Sequence, residues 1–246
     1  MKIAIITGAS RGLGRSTALA CARRGSGVIL TYNNHPDGAE EVVRAIEAEG
    51  GKAVALKLDV ADTASFPAFR DSVAGVLSIW GRTDFDQLVN NAGYGLYNPI
   101  ETVTEAEFDG LFAVHLKGPF FLTQALLPLM ARGGQIVNLT SATSRVATAG
   151  VAPYAAFKGG LEVLTRYMAK EFGDRGIRAN AVSPGAIRTD LGDGLNDKFE
   201  ALLAGQTALG RVGEPDDIGK MIASLLSDDN AWVNAQTVEV SGGNVV

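Results

Sequence analysis

The chain of 246 residues has a single cysteine, Cys21. One thiol cannot form an intramolecular disulfide, which points to a reducing compartment and to the cytoplasm. Cys21 lies in the alanine-rich run 18–22 and reads as a small packed residue of a helix rather than as a reactive thiol. An excess of basic charge is missing as well: 22 Lys and Arg stand against 27 Asp and Glu, a net charge of −5. Binding to a phosphate backbone needs a basic face, so nucleic acid is set aside as a partner. Long hydrophobic runs are absent. The opening apolar run stops at Thr7-Gly8, too short for the core of a signal peptide, and no stretch is long enough to span a membrane. No metal site is read from the chain.

What the chain does have is a core: 46% of its residues are hydrophobic and 20% charged, the balance of a globular protein. Short apolar runs at 3–7, 28–32, 53–58, 87–90, 135–140, 178–183 and 237–240 read as strands. Most do not alternate in polarity, as expected of parallel strands covered on both faces. Helical patterns lie between them at 14–24, 37–49, 64–80, 105–131, 153–172 and 215–226, several opened by proline or closed by glycine. Strand–helix alternation predicts an α/β fold, a doubly wound parallel sheet of seven strands with helices on both faces. No repeat or linker divides residues 1–246, so a single Rossmann-type domain is expected. The irregular stretch 188–205, rich in Asp, Gly and Leu with a short helical piece at 198–203, sits where such folds carry a substrate lid.

The first strand runs into Thr7-Gly8-Ala9-Ser10-Arg11-Gly12-Leu13-Gly14 and then a helix. Glycines here permit a tight turn, close approach of backbone to a pyrophosphate, and close helix–strand packing. The helix N-terminus adds unpaired N–H groups and partial positive charge. Tyr154 and Lys158, four apart in a helical segment, share one face. Ser141 precedes Tyr154 by thirteen residues and follows a strand, so it emerges at the carboxyl edge where such sheets bind ligands.

The glycine turn, Asn90-Asn91-Ala92-Gly93, Ser141, Tyr154-x-x-x-Lys158 and Asn180-x-Val182-x-Pro184-Gly185, in this order and spacing, resemble the short-chain dehydrogenase/reductase family. The closing Ser241-Gly242-Gly243 also fits. The resemblance implies a nicotinamide-dependent oxidoreductase acting on a ketone or secondary alcohol, and a homotetramer. It assigns Asp59 and Val60 to the adenine, and the segment Asn91, Ala92 and Gly93 to the border of the nicotinamide pocket. It assigns Pro184, Gly185, Ile187 and Thr189 to the carboxamide.

Cofactor choice is read after the second strand, where a carboxylate would accept from the ribose 2′-hydroxyl of NAD. That strand ends Thr31-Tyr32-Asn33-Asn34, with no acid before Asp37. Arg11 stands where a basic residue faces the 2′-phosphate of NADP in similar family members, and Asn33 could donate beside it. NADP(H) is therefore preferred to NAD(H).

Reduction of a ketone needs a proton at oxygen as well as hydride at carbon. A free phenol has a pKa of ~10, too high for efficient exchange near neutrality. A Lys158 ammonium and an oxidised nicotinamide nearby are expected to lower that of Tyr154; a drop of about three units corresponds to roughly 4 kcal/mol. Ser141 is expected to hold the carbonyl oxygen, and the resemblance also places Lys158 on the nicotinamide ribose. One position departs from the family: where its fourth catalytic residue is an asparagine, this chain has His115-Leu116-Lys117-Gly118. His115 either takes over that place or is merely packed. Tyr94, Leu96, Tyr97 and Arg145 are candidates for the substrate wall. The leading reading is a carbonyl reductase with a small-molecule substrate. The alternatives are a 3-oxoacyl-carrier-protein reductase and a non-catalytic NADP(H) sensor.

Overall fold

The computed structural model describes residues 1–189 and 196–246. Seven parallel strands form one sheet: β1 (Ile3–Ile6), β2 (Gly27–Tyr32), β3 (Ala53–Lys57), β4 (Phe85–Asn90), β5 (Met130–Leu139), β6 (Arg178–Pro184) and β7 (Thr237–Val240). Their order is β3-β2-β1-β4-β5-β6-β7. Side chains alternate across it, so β1 sends Ile3 and Ile5 into one core and Ala4 and Ile6 into the other. The first core packs against α3 (Phe66–Ile79), α5 (Gly118–Leu126) and α6 (Ala152–Glu171), through residues such as Phe69, Leu122 and Met168. The second packs against α1 (Gly12–Arg23), α2 (Pro36–Ala48) and α8 (Pro215–Leu225), through Ala18, Val42 and Ile222. Both faces are covered, which is why the strands read as apolar runs without alternation.

Cys21 belongs to the second core, and burial pushes its thiol up to about 12. A thiol held protonated this way is inert at neutral pH. Among the described residues no helix is long and apolar enough to cross a membrane.

The pattern read as one helix over 105–131 is broken. It comprises α4 (Glu105–Phe112), a π-helical turn at Ala113–Lys117, and α5. Pro119, in the first turn of α5, lacks an N–H, and its ring would collide with the carbonyl of His115 in a regular α-helix. The wider π-turn relieves that conflict. Residues 130 and 131, expected to be helical, open β5 instead, because Met130 pairs with Phe85 across a bulge.

Of the expected lid at 188–205, residues 190–195 lie outside the described residues. Beyond them α7 (Asp197–Gly205) replaces the expected piece at 198–203; Arg188 ties it to the start of α8 through Glu200 at 2.6 Å and Glu214 at 3.0 Å.

The chain reverses its direction of winding between β1 and β4. Thr7 N–H donates to Val89 O at 3.0 Å, so the ends of these strands form the crevice in which such sheets place ligands.

Candidate active site

The glycine turn occupies one side of this crevice. Gly8 and Gly12 have φ of +63° and +55°, conformations that side chains disfavour. At Gly14 a Cβ would lie 2.4 Å from Gly8 O and 2.5 Å from Asn91 Nδ2, so no larger residue fits. Asn91 Nδ2 donates to Thr7 O at 2.7 Å and Gly8 O at 3.1 Å, while Thr7 Oγ1 accepts from the amides of Asn91 and Ala92, each at 2.9 Å. The segment 91–93 thus fastens the turn from below. Leu13 is half-buried, and Arg11 caps α1 with its side chain exposed. From α2, Gly38 packs so closely that its Cβ would stand 2.8 Å from Ser10 O. Tyr32 and Asn33 close β2 at the surface beside it, and Asp59 and Val60 follow β3, with Asp59 Oδ1 accepting from Ala61 N. On the far side β6 ends at Pro184. Gly185 N–H donates to Val240 O, Ile187 bridges to Gly213, and Thr189 stands over the turn, 3.7 Å from where a Gly12 Cβ would be. The bare backbone of this cradle fits a dinucleotide pyrophosphate. Among the described residues no group of His, Cys, Asp and Glu could hold a metal.

Ser141, Tyr154, Lys158 and His115 come together at the carboxyl end of β5. Ser141 caps a short 3-10 turn, Ala142–Ser144, which lifts its hydroxyl off the strand end toward Tyr154. Lys158 is buried; its Nζ donates to Leu139 O at 2.7 Å and lies 5.5 Å from the centre of the Tyr154 ring. Burial lowers Lys158 to about 7. Burial raises the Tyr154 phenol, with the Ser141 hydrogen bond opposing it. The expected lowering by Lys158 is therefore not a property of the protein alone. Desolvation of the phenol dominates, and what opposes it is the Ser141 hydroxyl rather than Lys158.

His115 sits in the π-turn and is 1% exposed. Its Nε2 bonds Tyr94 O at 2.9 Å, which fixes the proton on Nε2, because a carbonyl can only accept. Its ring meets that of Tyr154 edge-on at 4.9 Å and covers Gly93, where a Cβ would lie 2.7 Å from Cε1. Nδ1 is buried with no hydrogen-bond partner among the described residues. Burial and the nearby Lys158 charge push the imidazole down to about 2, so it is neutral at any working pH.

A further set of polar groups braces the crevice from inside the sheet. Asn90 Nδ2 donates to Asn138 Oδ1 at 2.8 Å, and Asn138 Nδ2 to Thr165 Oγ1 at 2.8 Å. Arg145, a candidate for the substrate wall, is tied to the C-terminal segment. Its guanidinium pairs with both oxygens of Glu239 at 2.8 Å and donates to Asn244 O and Val245 O, which leaves it committed to the C-terminal segment. Thr143 was not singled out from sequence, yet its Oγ1 lies 2.9 Å from Ser141 Oγ. Its place two residues after the serine of a strand-end turn was the available signal.

The profile described as enoyl-(acyl carrier protein) reductase matches residues 8–244. An uncharacterized oxidoreductase of Methylorubrum extorquens is 38% identical over 245 residues, covering 98% of this chain and 97% of its own. A 3-oxoacyl-[acyl-carrier-protein] reductase of Staphylococcus aureus is 39% identical over 244 residues, covering 98% and 97%. Among solved structures, an angucycline C-6 ketoreductase with bound NADP superposes with a TM-score of 0.95 at 34% identity, covering 99% of this chain and 95% of its own.

Proposed function

Because the chain belongs to the short-chain dehydrogenase/reductase family and is an oxidoreductase of that kind, we propose that it is an NADP(H)-dependent carbonyl reductase that interconverts a ketone and a secondary alcohol. The observation that carries this is the meeting of Ser141, Tyr154 and Lys158 at the end of β5, beside the glycine turn. NADPH, when bound, supplies the hydride. Arg11, the amides of the turn, and Asn33 would hold its phosphates, with no carboxylate between β2 and Asp37 to oppose the 2′-phosphate. The NADP in the ketoreductase relative supports this choice.

The chain supplies the rest. Tyr154 gives its proton to the carbonyl oxygen as that oxygen gains electrons; the phenol is protonated near neutrality, the form that reduction requires. Ser141 donates a hydrogen bond to the same oxygen and steadies its developing charge. Lys158, held by Leu139 O, faces the Tyr154 ring and favours the phenolate left after transfer whenever it is charged. His115 holds the Tyr94 carbonyl and supports the Tyr154 ring from its edge, in the place of the family's asparagine.

The protein acts as a homotetramer in the cytoplasm. The support is an apolar face on α4 and α6, where Phe108, Phe112, Val163 and Tyr167 are exposed. A second reading, a 3-oxoacyl-carrier-protein reductase, is favoured by the Staphylococcus relative. Following NADPH oxidation with a panel of ketones and carrier-linked 3-oxoacyl substrates decides between them, with Tyr154→Phe as the inactive control. Tight NADPH binding without turnover of any carbonyl would overturn both and leave a cofactor sensor.

A further inference from the structure

The 3-10 turn after β5 carries a detail that bears on how Ser141 is used. A serine hydroxyl has one proton to give and two positions at which to accept. Ser141 Oγ is approached by Thr143 N–H at 3.3 Å and by Thr143 Oγ1 at 2.9 Å. The amide can only donate. The Thr143 hydroxyl is the donor in the 2.9 Å bond, which leaves the Ser141 proton for another acceptor, and Tyr154 is the phenol that its hydroxyl influences. Ser141 is thus a donor toward Tyr154 and an acceptor toward Thr143.

We infer that Thr143 is a positioning residue of the reaction centre, which fills both acceptor positions of Ser141 Oγ and so directs the Ser141 proton at Tyr154 and, in the complex, at the carbonyl oxygen. The inference rests on the proposed carbonyl chemistry only for the last of these partners. The chain Thr143 Oγ1–H to Ser141 Oγ–H to substrate oxygen runs in one direction. Each bond polarises the next, and the final donor strengthens as the oxygen gains negative charge. With Thr143 lacking its hydroxyl, Ser141 keeps a free lone pair, its rotor gains alternatives, and part of the population no longer donates to the reacting oxygen.

The turn does not depend on this hydroxyl for its shape. Ser144 N–H donates to Ser141 O at 3.0 Å, and the amides of Arg145 and Val146 donate to Ala142 O at 3.0 and 2.8 Å. The Arg145 side chain pins the end of the turn to Glu239 and the C-terminal carbonyls. Thr143→Val, nearly the same in shape, therefore removes one hydrogen bond and leaves the backbone in place.

The experiment compares the full-length protein with Thr143→Val and Thr143→Ser. For a ketone that the parent reduces, Thr143→Val should lower kcat about ten-fold, the size of one hydrogen bond, with NADPH affinity and thermal midpoint unchanged. Thr143→Ser should restore kcat. A second readout needs no turnover: the phenolate absorbance of Tyr154, isolated by subtracting the titration of Tyr154→Phe, should move to higher pH in Thr143→Val and return in Thr143→Ser. Parental kcat together with an unmoved Tyr154 titration in Thr143→Val would overturn the inference. So would a loss of kcat that Thr143→Ser fails to restore, or one that follows a falling thermal midpoint. If no carbonyl is reduced by the parent, the functional reading fails, and the Tyr154 titration still decides the role of Thr143.

Discussion

Lowering the pH from 7 to 5 should cost this protein stability through one side chain, His115. In the folded chain, burial and the Lys158 charge hold its pKa near 2, against 6.5 for an unhindered imidazole. Below pH 6.5 the unfolded chain takes up a proton that the folded chain refuses, so stability falls as pH falls and is unaffected above that value. Each unit is worth 1.36 kcal/mol. At pH 5, one and a half units into the window, the loss is about 2 kcal/mol, a large part of the ~5–15 kcal/mol that keeps a domain folded. The assay is urea unfolding at pH 7 and pH 5, at one protein concentration so that any subunit association weighs equally on both. The comparison is His115→Asn, which carries the family's residue and does not titrate. The stability difference between parent and variant should shrink or reverse by about 2 kcal/mol on acidification. His35, the other histidine, is exposed and present in both proteins, so it cancels. Parallel pH curves for the two proteins would refute the claim that His115 is buried and neutral beside a cation.

Four other perturbations follow from particular contacts. Gly14→Ala places a methyl against Gly8 O and the Asn91 amide, so it should cost about 2 kcal/mol in urea unfolding and weaken NADPH binding, measured by fluorescence titration. Arg11→Glu should raise the Kd for NADPH at least ten-fold more than that for NADH, since only the former carries the 2′-phosphate; equal weakening would remove Arg11 from that role. Arg145→Ala releases residues 244 and 245, so limited proteolysis should cut the C-terminal segment sooner, while an exposed ion pair of this kind costs the global fold only ~1 kcal/mol or less. Tyr167→Glu puts a charge on the apolar face of α6, 62% exposed in the single chain, and sedimentation should then show species smaller than the parent's.

How much could be read beforehand divides along a physical line. Strand positions, the glycine turn and the Tyr154–Lys158 pair are local patterns: periodicity, φ preference and helical spacing act over a few residues, and the seven strands fall within a few residues of where their apolar runs lie. β5 alone starts well early, because Met130 is recruited by Phe85, forty-five residues away. The break in the helix over 105–131 was in fact announced by Pro119, four residues after His115. A strong apolar periodicity on both sides hid it. The pairing of Arg145 was hidden for the opposite reason: its partner Glu239 is ninety-four residues distant and nothing nearby names it.

Protonation was the least legible property. Charge proximity, which a motif can suggest, predicts that Lys158 lowers the Tyr154 pKa. Burial, which no motif states, lowers Lys158 itself to about 7 and raises Tyr154. At neutral pH the lysine is then charged only part of the time, so it cannot act as a constant source of positive potential. A proton on Lys158 becomes a variable that a bound, negatively charged ligand would favour. Lys158 Nζ lies 5.5 Å from the Tyr154 ring, so its protonation as the crevice fills should favour the phenolate. On that argument the pair is a good proton donor in the complex and a poor one in the bare protein, and the pH at which Tyr154 titrates should fall when the crevice fills.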